Sequence, residues 1–215
     1  IALALGASYG DGAVSNAFWS PVSKFERPDG RTAVFPHFVF DRSKPGIIAV
    51  GADGRRFTNE SRSYHEFSMA QIATNTIPAY LVTDAIGLRK YGLGLVRPGG
   101  IGAKSLIRNG YLVEAQSLDA LADALSIERD GMRATVGEIN HYAETGEDTS
   151  FNRGSTIYER HNGDPSHAPN PTLGPIGKAP YYAVRLWPGD IGAATGLVTD
   201  EKARVLNGEG RPIPS

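Results

Sequence analysis

Short, dense runs of apolar and β-branched residues alternate along this chain with stretches of helical spacing. Gly46–Val50, Ala79–Thr83, Tyr111–Ala115 and Tyr181–Trp187 read as strands, the first of them buried. Thr32–Phe40 reads as a strand pair interrupted at Pro36, because proline cannot donate to a central ladder. After His65, apolar residues at Phe67, Met69, Ala70, Ile72 and Ala73 have the spacing of a helix with one buried face. Asp84 is placed to cap a short helix through Lys90, and Ser117 one with a Leu118, Leu121, Leu125 stripe. Ser126 is placed to cap a longer helix over 127–144, closed by Gly146. From Asp148 to Pro180 the periodicity gives way to rigid turn sequences, the mark of a lid or an ordered wrapping loop. At the two ends, 1–8 reads as the last turns of a helix and 9–15 as a Gly-rich connection. A Gly-rich loop is expected at 188–196, then two strands around a turn.

The densest signal lies at 46–67. A strand is followed by turn chemistry at Gly51–Gly54, where Asp53-Gly54 supplies the positive φ of a tight hairpin. Arg55–Thr58 reads as the returning strand, and a polar knot from Asn59 to His65 follows it. Asn59 and Glu60 are expected to brace that turn and cap the helix after it. Helix and strand signals together predict an α+β fold.

Composition narrows the classes. The 215 residues carry 22 Lys+Arg against 23 Asp+Glu, for a net charge of −1, with no basic stripe to attract nucleic acid or an anionic membrane. No apolar run approaches the roughly 20 residues needed to span a bilayer. Cysteine is absent, which excludes disulfides and thiolate chemistry and accords with a cytoplasmic setting. The five histidines are scattered without metal-ligand spacing, so no metal site is expected.

Several segments resemble flavoproteins of the fumarate reductase/succinate dehydrogenase group, and within it the 3-ketosteroid dehydrogenases. They are Asp41-Arg-Ser-Lys-Pro-Gly46, Asp53-Gly-Arg-Arg-Phe-Thr-Asn-Glu-Ser61, Tyr64, Asn170-Pro-Thr-Leu-Gly-Pro175, Ala179-Pro-Tyr-Tyr-Ala-Val184, Pro188-Gly-Asp-Ile-Gly192 and Gly196-Leu-Val-Thr-Asp200. The resemblance implies the capping domain of such enzymes, a small mixed sheet with packed helices and a long ordered loop. Residues 18–187 would be that substrate domain, with 1–17 a stub of the FAD-binding domain and 188–215 the start of the return into it. The family's opening Gly-x-Gly-x-x-Gly turn, which cradles the FAD pyrophosphate, does not occur in this sequence. FAD is thus the implied cofactor of the full protein, the rest of its domain the implied partner, and this stretch alone is expected neither to hold flavin nor to turn over.

The same resemblance assigns candidate residues. Tyr64 matches the tyrosine proposed to take a proton beside the 3-keto group while the flavin accepts hydride. Phe40, Phe35 and Trp19 would wall a flat apolar substrate such as a steroid ketone. Asp190, Gly192 and Gly196 would approach the flavin, the glycines permitting close backbone contact. The rival within the group, a fumarate reductase acting on a small dicarboxylic acid, needs a general-acid arginine. Aligned on Phe57-x-Asn-Glu60, that arginine falls at Tyr64, which leaves Arg42 and Arg62 as loop-bracing or surface residues. A binding module without activity of its own is the third reading.

Overall fold

The computed structural model describes residues 1–10 and 14–214, so part of the expected connection at 9–15 lies outside the described residues. Two compact units are formed, one by Ser20–Gly189 and the other by Ile1–Trp19 with Asp190–Ser215.

The larger unit is built on one sheet. In chain order its strands are β2 (Ala17–Glu26), β3 (Thr32–Pro36), β4 (Ile47–Val50), β5 (Ala79–Asp84), β6 (Val113–Ala115) and β7 (Tyr181–Ala193), while β1 (Tyr9–Gly10) belongs to the smaller unit. The order across the sheet is β3-β2-β7-β5-β4, with β6 also on β7. β7 is therefore the spine: Tyr181–Leu186 pair antiparallel with β5, and Tyr181–Ala183 also with β6. Six helices accompany the strands: α1 (Tyr64–Ala73), α2 (Ala85–Tyr91), α3 (Ala103–Arg108), α4 (Leu118–Leu125), α5 (Arg129–Thr145) and α6 (Ile157–Asn162).

The apolar strands are dense because both faces of the sheet are covered. Side chains alternate across a strand, so Ile48 and Val50 of β4 and Val82 of β5 join Leu121, Leu125, Met132, Val136 and Ile139 of α4 and α5. Ile47, Ala49 and Leu81 point the other way, to Phe67 of α1, Leu88 of α2 and Leu106 of α3. The long loop is a strap rather than a lid: Leu173 and Ile176 enter the first core, and Asn170 pins it by donating to the Gly146 carbonyl at 3.0 Å and accepting from Thr172 N–H at 3.0 Å.

Five local expectations are corrected. Arg55–Thr58 is not a strand but a single bridge, Val50 to Arg56, because the Arg56 side chain turns inward to Glu60. Ser126 is the left-handed residue closing α4, at φ 57°, and Glu128 caps α5 by accepting from Asp130 and Gly131 N–H. The strand pair around Pro36 stops at Pro36, where the chain curls so that His37 meets Asp41. The loop expected at 188–196 instead continues β7 to Ala193. Gly189 permits this, since a Cβ there would lie 3.0 Å from the Val22 side chain of the neighbouring strand. The expected sequence signals missed α3 and α6, each only six residues long. In the smaller unit β1 pairs with β8 (Gly196–Leu197), and the helix expected at 1–8 is a single 3-10 turn, Leu3–Leu5.

Gly54 shows how tightly the hairpin is seated. It has φ +72°, and a Cβ would lie 2.3 Å from Met132 N and 2.7 Å from the Glu128 carbonyl oxygen of α5. Gly54→Ala should lower the urea midpoint by an amount equivalent to about 2 kcal/mol or more, left-handed strain and backbone overlap adding. A midpoint within experimental error of the parent would contradict this seating.

Candidate active site

Tyr64 is the first residue of α1. Its position is set by a capping box, in which the Ser63 hydroxyl accepts from Glu66 N–H and the Glu66 carboxylate accepts from Ser63 N–H. The cap is therefore Ser63 and Glu66, not Asn59 and Glu60 as the sequence suggested. This end of the helix is where the backbone dipole favours negative charge. The Tyr64 ring meets Phe38 edge-on, with centroids 5.1 Å apart and planes at 66°.

Phe38 connects that phenol to an apolar cavity of about 250 Å³. Phe35, Phe38, Phe40, Tyr91, Leu93 and Val96 line it. Phe40 is 76% exposed, a large cost for a phenylalanine unless another surface covers it. Of the candidates read from the sequence, Tyr64, Phe35 and Phe40 are thus brought to one region through Phe38, which the pattern did not single out. Trp19 belongs to the smaller unit, where its Nε1 donates to the Ser15 hydroxyl at 2.8 Å. Asp190, Gly192 and Gly196 are in that unit also. Asp190 is exposed, and a Cβ at either glycine would meet nothing within 4 Å, so this backbone is open to a flat group.

Behind the aromatic wall runs a buried polar chain that sequence spacing did not reveal. Asp41 Oδ2 lies 2.6 Å from His37 Nδ1, His37 Nε2 lies 2.7 Å from Ser23 Oγ, and Ser23 Oγ lies 2.7 Å from the Tyr111 hydroxyl. Gly94 N–H donates to Asp41 Oδ2 at 3.1 Å and Leu95 N–H to Tyr111 at 3.1 Å, tying the 93–96 side of the cavity to the 37–41 side. Burial alone would raise the Asp41 carboxyl. The charge and hydrogen bond of His37, the charge of Arg42 and the Gly94 N–H outweigh it and bring the carboxyl down to about 2.

Arg42 holds the two segments in register. Its Nε donates to the His37 carbonyl at 2.8 Å, Nη1 to the Glu60 carbonyl and Nη2 to the Arg62 carbonyl at 3.3 Å, with the guanidinium 4.7 Å from the Phe67 ring centre. Burial pulls this group down to about 10, against the charges of Asp41, Tyr158 and Glu60, so it remains a cation at neutral pH. Glu60 is enclosed in turn by Arg56, at 2.8 Å and 2.7 Å, and Arg153, at 3.1 Å. Arg56 continues to Asp148 at 2.8 Å. Arg62 lies half-exposed beside Glu66. Asn59 accepts from Ser61 N–H at 2.9 Å and donates to Glu159 at 3.1 Å, a bracing role. Among the described residues no group of three or more His, Cys, Asp or Glu could hold a metal, and no helix is long and apolar enough to cross a membrane.

The chain is similar along its length to proteins already characterised. The FAD binding domain family matches residues 1–215. The chain is 39% identical to 4-oxocyclohex-2-ene-1-carboxylate 5-dehydrogenase from Sinomonas cyclohexanicum, over 99% of this chain and 36% of that protein. It is 35% identical to 3-oxosteroid 1-dehydrogenase from Mycobacterium tuberculosis H37Rv, over 80% of this chain and 32% of that one. The structure superimposes with a TM-score of 0.89 and 34% identity on 3-ketosteroid delta1-dehydrogenase from Sterolibacterium denitrificans, solved with 1,4-androstadiene-3,17-dione, covering 99% of this chain and 38% of that one. The chain spans about a third of the length of these relatives.

The depressed Asp41 carboxyl has a pH consequence. A lowered folded-state value stabilises the fold above the ordinary carboxylate value of 3.8, and that stabilisation is lost as pH falls through about 2. Urea unfolding should show the parent exceeding Asp41→Asn by on the order of 2 kcal/mol at pH 6, narrowing between pH 4 and pH 2. A gap that stays constant across that range would contradict the lowered Asp41 carboxyl.

Proposed function

We propose a function from the premise that this chain belongs to the FAD binding domain family, whose cofactor is FAD. In its full protein it forms the substrate side of a dehydrogenase that introduces a double bond next to the carbonyl of a six-membered ring ketone, the class that includes the 3-ketosteroids. The residues 18–187 are the substrate domain in this reading, and 1–17 and 188–215 are parts of the FAD domain.

The observation that carries the reading is the phenol of Tyr64 at the N-terminus of α1, edge-on to Phe38 at the apolar cavity. An apolar wall suits a ring system that binds by burial. Tyr64 takes the proton from the carbon beside the carbonyl, and the helix N-terminus stabilises the negative charge that the phenol then carries. An ordinary tyrosine, with a pKa of about 10, is a weak base in water, so the carbonyl must be polarised by hydrogen-bond donors for this transfer to be fast. Bound FAD supplies the acceptor for the hydride leaving the adjacent carbon. Asp190, Gly192 and Gly196 present the open backbone suited to a flat ring, whereas the sequence holds no Gly-x-Gly-x-x-Gly turn for the pyrophosphate.

Relatives support the ring-ketone class through their names, which pair a ring ketone with removal of hydrogen at a numbered ring position. A dicarboxylate substrate would need fixed cations for both carboxylates. Around Tyr64 the buried arginines are already committed to Glu60, Asp148 and backbone carbonyls.

Anaerobic mixing tests the reading on the FAD-loaded full-length protein. A 3-ketosteroid or an oxocyclohexanecarboxylate should bleach the oxidised flavin band and succinate should leave it intact. Bleaching by succinate with neither ketone active would contradict the assignment.

A further inference from the structure

The cavity has one feature that a wholly hydrocarbon ligand leaves unused. Its inner wall is aromatic and aliphatic, yet the exposed Arg97 also lines it. No hydrogen bond or ion pair within the described residues engages that guanidinium, whereas the buried Arg42 and Arg56 are committed to backbone carbonyls, Glu60 and Asp148. The carboxylate that also lines the cavity, Asp41, has its oxygens engaged by His37 and by the N–H groups of Arg42 and Gly94, and it makes no ion pair with Arg97.

The backbone that carries Arg97 is fixed on both sides. Leu93 and Val96 exchange backbone hydrogen bonds at 2.9 Å and 3.0 Å, and Arg97 and Ile101 exchange another pair at 3.2 Å each. Gly100 N–H donates to the Arg97 carbonyl at 3.1 Å, closing the Pro98–Gly100 turn. Leu93 and Val96 are buried in the core with Leu88 and Leu106. A cation displayed from such a clip is placed by rigid structure rather than by a mobile loop, as recognition requires.

A largely apolar cavity with one cation at its wall is complementary to a ring that carries an anion. The cavity volume, about 250 Å³, falls below the roughly 300–1,000 Å³ usual for drug-sized ligands and suits a single substituted ring. Guanidinium matches a carboxylate by two parallel N–H···O bonds, which fixes orientation as well as affinity. We propose that Arg97 is a specificity residue that binds the carboxylate of a monocyclic ring-ketone acid, orienting the ketone end of the ring toward Tyr64. This proposal rests on the ring-ketone reading above and narrows it from ring ketones in general to those bearing an acid group away from the carbonyl.

The experiment compares 4-oxocyclohexanecarboxylate with its methyl ester as reductants of the FAD-loaded full-length protein, and adds a 3-ketosteroid as a reference. The parent should favour the acid over the ester by roughly 10- to 100-fold in kcat/KM, the range a charge-assisted hydrogen bond supplies. Arg97→Gln should bring that ratio close to one, the loss falling on KM for the acid rather than on kcat, and Arg97→Lys should restore part of it. A parent that treats acid and ester alike, or an Arg97→Gln variant that keeps the preference, overturns the proposal. If the ring ketones reduce the flavin without that preference, the carboxylate assignment fails alone. If acid, ester and steroid all leave the flavin oxidised, the ring-ketone reading falls and the assignment with it.

Discussion

One buried carboxylate, Glu60, governs the geometry of the larger unit. Its oxygens accept from Arg56, Arg153 and the Ala49 N–H, so strand β4, the hairpin and the long strap converge on a single group. Arg153 extends the reach by donating to the carbonyls of Ile47 at 2.7 Å, Arg42 at 3.0 Å and Lys44 at 2.9 Å. Replacing such a network by apolar groups need not destabilise a fold, but removing one partner leaves uncompensated buried charge, at a cost of about 3–5 kcal/mol. Burial raises the Glu60 carboxyl, and its two arginines outweigh that and hold it lowered.

That constraint explains how the side chain proposed as the base, Tyr64, is held on the first turn of a short helix. The backbone entering α1 has no regular partner of its own between Phe57 and Ser63. Arg42 ties it down from one side through the Glu60 and Arg62 carbonyls, and Asn59 from the other through Glu159. The same Arg42 holds His37, whose neighbours Phe35, Phe38 and Phe40 form the aromatic wall. Tyr64 and the cavity are therefore positioned by one cation, and the Asp41-His37-Ser23-Tyr111 chain fixes the cavity's far side. Binding groups held by packed and hydrogen-bonded supports lose less freedom on engaging a ligand.

Much of this was legible in the chain because periodicity reports burial directly. The strands β4, β5 and β7, the helices α1, α2, α4 and α5, and the caps at Asp84 and Ser117 follow from apolar spacing and turn chemistry. The misreadings have one cause, which is that tertiary contacts override local preference. Arg55–Thr58 has strand-like residues but spends Arg56 on the buried carboxylate. Pro188 and Gly189 look like a loop yet extend β7, since Gly189 must clear Val22. The position of Tyr64 was readable only through its neighbours in the Asn-Glu stretch, and the assignment of its role still comes from resemblance rather than from spacing. Phe38 and the His37–Asp41 pair stayed hidden because nothing in an irregular segment marks which side chains face inward. Arg97 was equally silent: a lone arginine before Pro-Gly-Gly acquires meaning only once Phe35 and Val96 lie beside it.

The central claim is that the Tyr64 phenol, rather than any carboxylate or arginine nearby, handles the proton. Stopped-flow measurement of flavin reduction by a ring ketone in the full-length Tyr64→Phe protein tests it most directly. The account predicts reduction slowed by a factor of about 100 or more with ketone binding retained, the usual size of a general-base contribution. Reduction at the parent rate in Tyr64→Phe would contradict it.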